Sequence, residues 1–134
     1  MGVMGEQVYK NGEEVLVPGY LGMRKGIIRK NEGGNSEGGN SYSVCVGSGI
    51  HKLVEVIPDC HIIPLINNSD METLSYFRDE NGKRADPKKE ENWVAGKLIK
   101  YNAGMNTFHV EIKSDGKPVE VIRGRRQIRP VGYR

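Results

Sequence analysis

The tetrapeptide Val54-Glu55-Val56-Ile57 returns later in the chain as Val119-Glu120-Val121-Ile122, and the match does not stand alone. Tyr42-Ser43-Val44-Cys45-Val46 precedes the first copy much as Phe108-His109-Val110-Glu111-Ile112 precedes the second. Ile63-Pro64-Leu65 follows the first as Ile128-Arg129-Pro130-Val131 follows the second. Farther upstream, residues 24–30 correspond to residues 94–100, each with a glycine third in line. Four segments recurring in one order mark two copies of a single unit of about 50–60 residues. A chain of 134 residues divided in this way has room for two very small domains. It has none for a doubly wound nucleotide domain with a substrate domain behind it.

The residue chemistry of each copy is that of a sheet. Val and Ile together number 24 and Leu and Ala together 9. β-branched side chains suit a pleated, half-buried surface, whereas helices favour Leu and Ala. Eighteen glycines punctuate the short apolar runs and supply the corners between strands. Strands are expected over 13–18, 24–30, 42–46, 51–57 and 62–65, and again over 93–101, 107–113, 119–123 and 127–131. Tyr42, Val44 and Val46 share one face of their strand, as do Phe108, Val110 and Ile112 of theirs.

Three segments fit the scheme less directly. Ser69-Asp70-Met71-Glu72 reads as a capping box that would open a short helix through Glu80, stopped at Asn81-Gly82. The repeat instead requires a first strand here, for which 73–78 is the candidate. Residues 31–41 hold Glu-Gly-Gly-Asn-Ser twice in succession and read as a flexible polar insert. Residues 79–91 contain nine charged side chains and Pro87, and read as a mobile loop.

Five short strands with a tight last connection ending in Ile-x-Pro resemble an SH3-like barrel of the Tudor or Agenet type, in the Royal superfamily. Gly12-Glu-Glu-Val-Leu-Val-Pro18 resembles the opening strand of such modules, Asn92-Trp-Val-Ala-Gly-Lys-Leu-Ile-Lys100 their second, and Ile128-Arg-Pro130 the closing strand of Agenet members. The resemblance implies an all-β protein of two five-stranded barrels in tandem, over residues 12–66 and 73–131. It further implies a non-catalytic, chromatin-associated nuclear reader of a basic, methylated histone-type peptide. Such a reader surrounds a methylammonium with aromatic rings, whose quadrupoles attract the cation, and sets an acid nearby. Carried onto this chain, the ring positions fall on Tyr76 or Phe77 and on Trp93, with Asp115 as the acid. In the first copy Tyr20 takes the first position, Met23 stands where the second aromatic belongs, and each single cage is short of rings, which leaves a composite cage shared by the two copies as the alternative.

Charge points to an alternative partner. The chain carries 20 Lys and Arg against 17 Asp and Glu, for a net charge of +3. Residues 101–134 hold seven basic groups against three acidic, so the excess lies in the last quarter. Arg123, Arg125, Arg126 and Arg129 would grip phosphates of DNA or RNA, because guanidinium groups meet phosphate bidentately, with Tyr101, Phe108 and Tyr133 as aromatic partners for bases. A basic stripe raises the expectation of an anionic partner more than the modest total does. A protein-interaction scaffold with neither ligand is the third reading.

Other classes find little in the sequence. No apolar run approaches the roughly 20 residues that span a bilayer. The opening residues lack a leader-like apolar stretch and do not complete the myristoylation pattern. Cys45 and Cys60 suit free thiols in a reducing, intracellular compartment. Cys45, His51, Cys60 and His61 have the residue types of a zinc site but not its spacing, so no metal is expected. No nucleophile elbow, phosphate-cradling loop or His-Glu-x-x-His occurs, so neither an enzyme nor a cofactor is expected.

Overall fold

The computed structural model describes residues 8–36, 38–47 and 49–133. Residues 1–7, on which the leader and myristoylation readings chiefly rest, lie outside this range, as do Glu37, Ser48 and Arg134. Strands β1 (Glu14–Gly19), β2 (Gly22–Gly34), β3 (Asn40–Val46), β4 (Leu53–Pro58) and β5 (Ile63–Pro64) are followed by β6 (Asp70–Leu74), β7 (Trp93–Asn102), β8 (Thr107–Ser114), β9 (Lys117–Gly124) and β10 (Ile128–Arg129). The protein is all-β, and its helical residues among those described are single 3-10 turns. Among the described residues no helix is long and apolar enough to cross a membrane.

Two antiparallel sheets result, in the orders β4-β3-β2-β1-β5 and β9-β8-β7-β6-β10. The orders are the same once the second copy is renumbered, and finer features recur as well. Both second strands change register over one residue, between Ile28 and Lys30 and between Leu98 and Lys100. Gly26 and Gly96 are buried at matching positions two residues earlier. A Cβ on Gly26 would lie 2.5 Å from Val44 Cγ1, and one on Gly96 2.7 Å from Val110 Cγ1. Each glycine is there because the facing valine fills the space of a side chain.

The expected faces are the buried ones. Tyr42, Val44 and Val46 join Val15, Val17, Ile28, Ile62 and Tyr9 in the core of the first sheet. Phe108, Val110 and Ile112 join Met71, Leu98 and Ile128 in that of the second. Leu16, Met23 and Ile63 point away from the first core and complete the second instead. The first sheet therefore covers the open side of the second core, and the two sheets share buried apolar contact.

Two expectations of local structure are corrected. The segment after Ser69 is strand β6, at Asp70–Leu74 rather than 73–78, and not a helix. Met71 and Thr73 are buried while Asp70 is exposed, so the acids that resemble a cap are the outward positions of a period-two pattern. The Gly-rich insert is largely strand. Gly33 pairs with Ser41 and Gly34 with Asn40, and Asn35 N–H donates to the Gly39 carbonyl at 2.8 Å to close the turn. The charged loop 79–91 carries its own bonds: the Asp79 carboxylate accepts from the backbone N–H of Asn81 and Lys83, and Ala85 is buried.

The register adds a finding that the repeated tetrapeptide conceals. Val54 lies opposite Cys45, and Glu120 lies opposite Glu111. Cys45 and Glu111 are themselves equivalent, since their partners on the second strands are Ile27 and Lys97, each one residue past the matching glycine. The two Val-Glu-Val-Ile copies thus sit on corresponding strands but one residue out of step. A one-residue slip sends every side chain to the other face. Val54 and Val56 point outward in the first sheet, whereas Val121 packs against the core in the second.

Candidate functional site

A cleft of about 320 Å³ opens where the β1–β2 turn of the first sheet meets the β9–β10 connection of the second. Tyr20, Met23, Trp93, Tyr133, Arg125 and Arg126 are among its lining residues. The turn reaches this position through Gly22, whose φ is +104°. A Cβ there would fall 2.5 Å from the Arg125 carbonyl oxygen, so only glycine lets the two backbones approach so closely. Arg125 fastens the junction by donating Nε–H to the Met23 carbonyl at 2.8 Å. On the other side, the Gln127 side chain accepts from Gly124 N–H at 2.6 Å, and the Gln127 carbonyl accepts from the Thr73 hydroxyl at 3.0 Å.

Trp93 forms one wall, and its ring is held from two directions. Its indole N–H donates to the Pro87 carbonyl at 2.9 Å. The Arg129 guanidinium lies 4.2 Å from the ring centroid. Arg129 is 8% exposed and bonds Glu72 at 2.7 Å and Glu90 at 2.8 Å. The cation on the Trp93 face is therefore the protein's own, fixed between two carboxylates. Burial disfavours the Arg129 charge, but the bonds to Glu90 and Glu72 outweigh it and hold the guanidinium protonated.

The four arginines of the basic stripe have different surroundings. Arg123 is buried opposite Phe108, donates to the carbonyls of Leu74 and Ile122 at 3.0 Å each, and has its charged form disfavoured by burial. Arg129 is enclosed as described. Arg125 lines the cleft half-buried, and Arg126 lines it exposed. Arg123 and Arg129 correspond in register to Ile57 and Ile63 of the first copy, the former packed on the first core and the latter buried against the second.

The aromatic positions are also dispersed. Tyr20 is 98% exposed at the mouth of the cleft. Tyr133 lines it too and meets His61 edge-on at 4.9 Å. Neither Tyr76 nor Phe77 lines the Trp93 cleft. Tyr76 borders a separate hollow of about 240 Å³ with Asp79, Asp86, Glu91, Lys83, Arg84 and Lys89. Phe77 lies between Arg78 and Arg84, whose guanidinium carbons are 5.2 and 5.7 Å from its centroid. Asp115, at φ 53° in the β8–β9 turn, is not among the cleft residues. The sequence reading reached Tyr133 as a partner for bases and a cage shared by both copies, but not the meeting of Tyr20, Trp93 and Tyr133 with Arg125 and Arg126 in one cleft.

Among the described residues no three His, Cys, Asp or Glu side chains gather as metal ligands. Cys45 is buried on β3 and Cys60 exposed in the turn after β4, neither in a disulfide. Comparison of the chain with family models, with curated proteins and with solved structures returns no match.

Proposed function

We propose that the protein is a non-catalytic binding module of two Tudor-like units, and that the cleft between its sheets seats a single strand of nucleic acid. Five strands per copy, one strand order and a bulge at the same place in both second strands support the first part. The second rests on one observation: the cleft presents Tyr20, Trp93 and Tyr133 beside Arg125 and Arg126, and among the described residues no carboxylate lines it. An aromatic cleft with guanidinium groups suits a base stacked on a ring and a phosphate held by arginine. A methylammonium would meet like charge there, with one face of Trp93 already taken by Arg129.

Trp93 is the only tryptophan, so its emission reports the cleft. A short single-stranded oligonucleotide should change that emission, with affinity falling as salt rises. For two phosphate contacts on a single strand the log–log slope is about −1.4. Arg126→Glu should reduce that slope by about 0.7 and weaken binding. Binding of a methylated basic peptide, with no response to the oligonucleotide, would overturn the assignment.

The histone-peptide reading keeps one observation in its favour. The hollow beside Tyr76 combines a ring with Asp79, Asp86 and Glu91, the chemistry a basic peptide would need. Lys83, Arg84 and Lys89 line the same hollow and offset those acids, which is why the cleft is preferred. A histone ligand would also imply a nuclear setting.

A further inference from the structure

The outer face of the first sheet is covered on one side only. Leu16, Met23 and Ile63 are buried against the second core. Past them the same face continues through Ile27 on β2, Cys45 on β3, and Val54 and Val56 on β4. Ile27 is 42%, Val54 54% and Val56 62% exposed, and β4 is the edge of its sheet. The equivalent row of the second sheet shows what solvent exposure there ordinarily calls for. Asp70, Lys97, Glu111 and Glu120 replace Glu14, Ile27, Cys45 and Val54. Three of four positions charged in one copy are apolar in the other, at the same place in the same strand order. Solvation is therefore not a requirement of the fold here, and the first copy departs from it on an open strand edge. An apolar face next to unpaired backbone groups is the arrangement that accepts an added strand.

The rim says which kind of strand. Lys25, Arg29, Lys30 and Lys52 line the two hollows flanking this row, of about 470 and 320 Å³, against the single carboxylate of Glu32. Glu14 bonds Lys25 and Glu32 lies 3.9 Å from Lys30, which leaves Arg29 and Lys52 without an ion pair among the described residues. A second copy would bring two net-positive rims together. We propose that β4 and the face beside it dock an extended segment of a partner protein in which small apolar residues alternate with acids. The apolar set would cover Ile27, Val54 and Val56 around the buried Cys45, and the acids would meet Arg29 and Lys52. This surface is separate from the cleft and does not depend on what the cleft binds.

A ten-residue peptide of alternating Val and Asp, with its Val–Lys counterpart as control, tests the proposal on the whole chain by amide hydrogen exchange. The acidic peptide should slow exchange of β4 amides, Leu53–Ile57, while the basic one leaves them unchanged. Val54→Lys with Val56→Lys, both at exposed positions, should keep the native amide spectrum and weaken the effect at least tenfold. The proposal is wrong if β4 gains no protection at millimolar acidic peptide, if the two peptides act alike, or if the double variant binds as well as the parent. It is equally wrong if β4 becomes protected with rising protein concentration alone, since the occupant would then be a second copy.

Discussion

Replacing Arg129 with methionine keeps most of the side-chain volume and removes one charge. Its guanidinium bonds Glu72 and Glu90 at 2.7 and 2.8 Å and lies over Trp93 at 4.2 Å. The Glu90 side chain is 56% exposed and returns to water at little cost, but that of Glu72 is 22% exposed and is left without its partner. Stranding one member of an enclosed pair costs about 3 kcal/mol, the low end for such sites. The lost cation–π contact adds about 1 kcal/mol, and burial of the methionine returns about 1. A net loss of about 3 kcal/mol is expected. Arg129→Lys should lose about 1–2 kcal/mol, because an ammonium gives neither the fork nor the stack. The strand-register equivalents of Glu72 and Arg129 in the first sheet are Leu16 and Ile63. Glu72→Leu combined with Arg129→Ile should therefore recover most of the loss, since a well-packed apolar pair can replace a buried ion pair. Urea denaturation followed by circular dichroism measures all four proteins. A loss under about 1 kcal/mol for Arg129→Met, or a double variant no more stable than that single one, would refute the reasoning.

Gly26→Ala and Gly96→Ala should each cost about 1–3 kcal/mol through overpacking against Val44 and Val110, and Val44→Ala should rescue the first but not the second in denaturant titrations. Gly22→Ala combines a strained φ of +104° with a Cβ driven into the Arg125 carbonyl; it should lower stability by about 2 kcal/mol or more and disturb Trp93 emission, whereas Gly33→Ala, with a φ of +97° but open space on β2, should leave that emission unchanged. Tyr9 is buried, with its ring 5.2 Å from Tyr42. Burial first, and then the charges of Asp59 and Glu13, push its phenol above the ordinary value of 10.0. The unfolded chain loses that proton first, so the contribution is complete below about pH 10 and is lost above it at up to about 1.4 kcal/mol per pH unit; Tyr9→Phe should lack that increment when unfolding is followed from pH 9 to 11.

Period-two alternation carried much of the fold, because strands with one face in a core must repeat every second residue. Tyr42, Val44, Val46, Phe108, Val110 and Ile112 were legible in that way. The first strand of the second copy was obscured by Asp70 and Glu72, which imitate a helix cap. The turn at Asn35–Gly39 was obscured by its composition, since glycines that look like a linker also tolerate a hairpin. The site was harder to read for a single reason. The repeated tetrapeptide aligns Ile57 with Ile122 and Ile63 with Ile128, whereas the strand register aligns them with Arg123 and Arg129. Aligned by identity, those arginines look like surface groups awaiting a phosphate. Aligned by register, they stand where isoleucines are enclosed by apolar packing. A site shared by both copies was legible as an alternative, but its place was not, because it needs Tyr20 and Trp93, 73 residues apart, to meet across two sheets.

The central claim is that ligand enters between the sheets and not at a cage within the second one. Residue-resolved amide chemical shifts test it when the labelled protein is titrated in parallel with a short single-stranded oligonucleotide and with a trimethyl-lysine peptide. The account predicts that the oligonucleotide shifts Tyr20, Gly22, Met23, Trp93, Arg125, Arg126 and Tyr133 together, with β4 unmoved. Shifts confined to Tyr76, Phe77 and Asp115 on adding the methylated peptide, with the oligonucleotide silent, would contradict it.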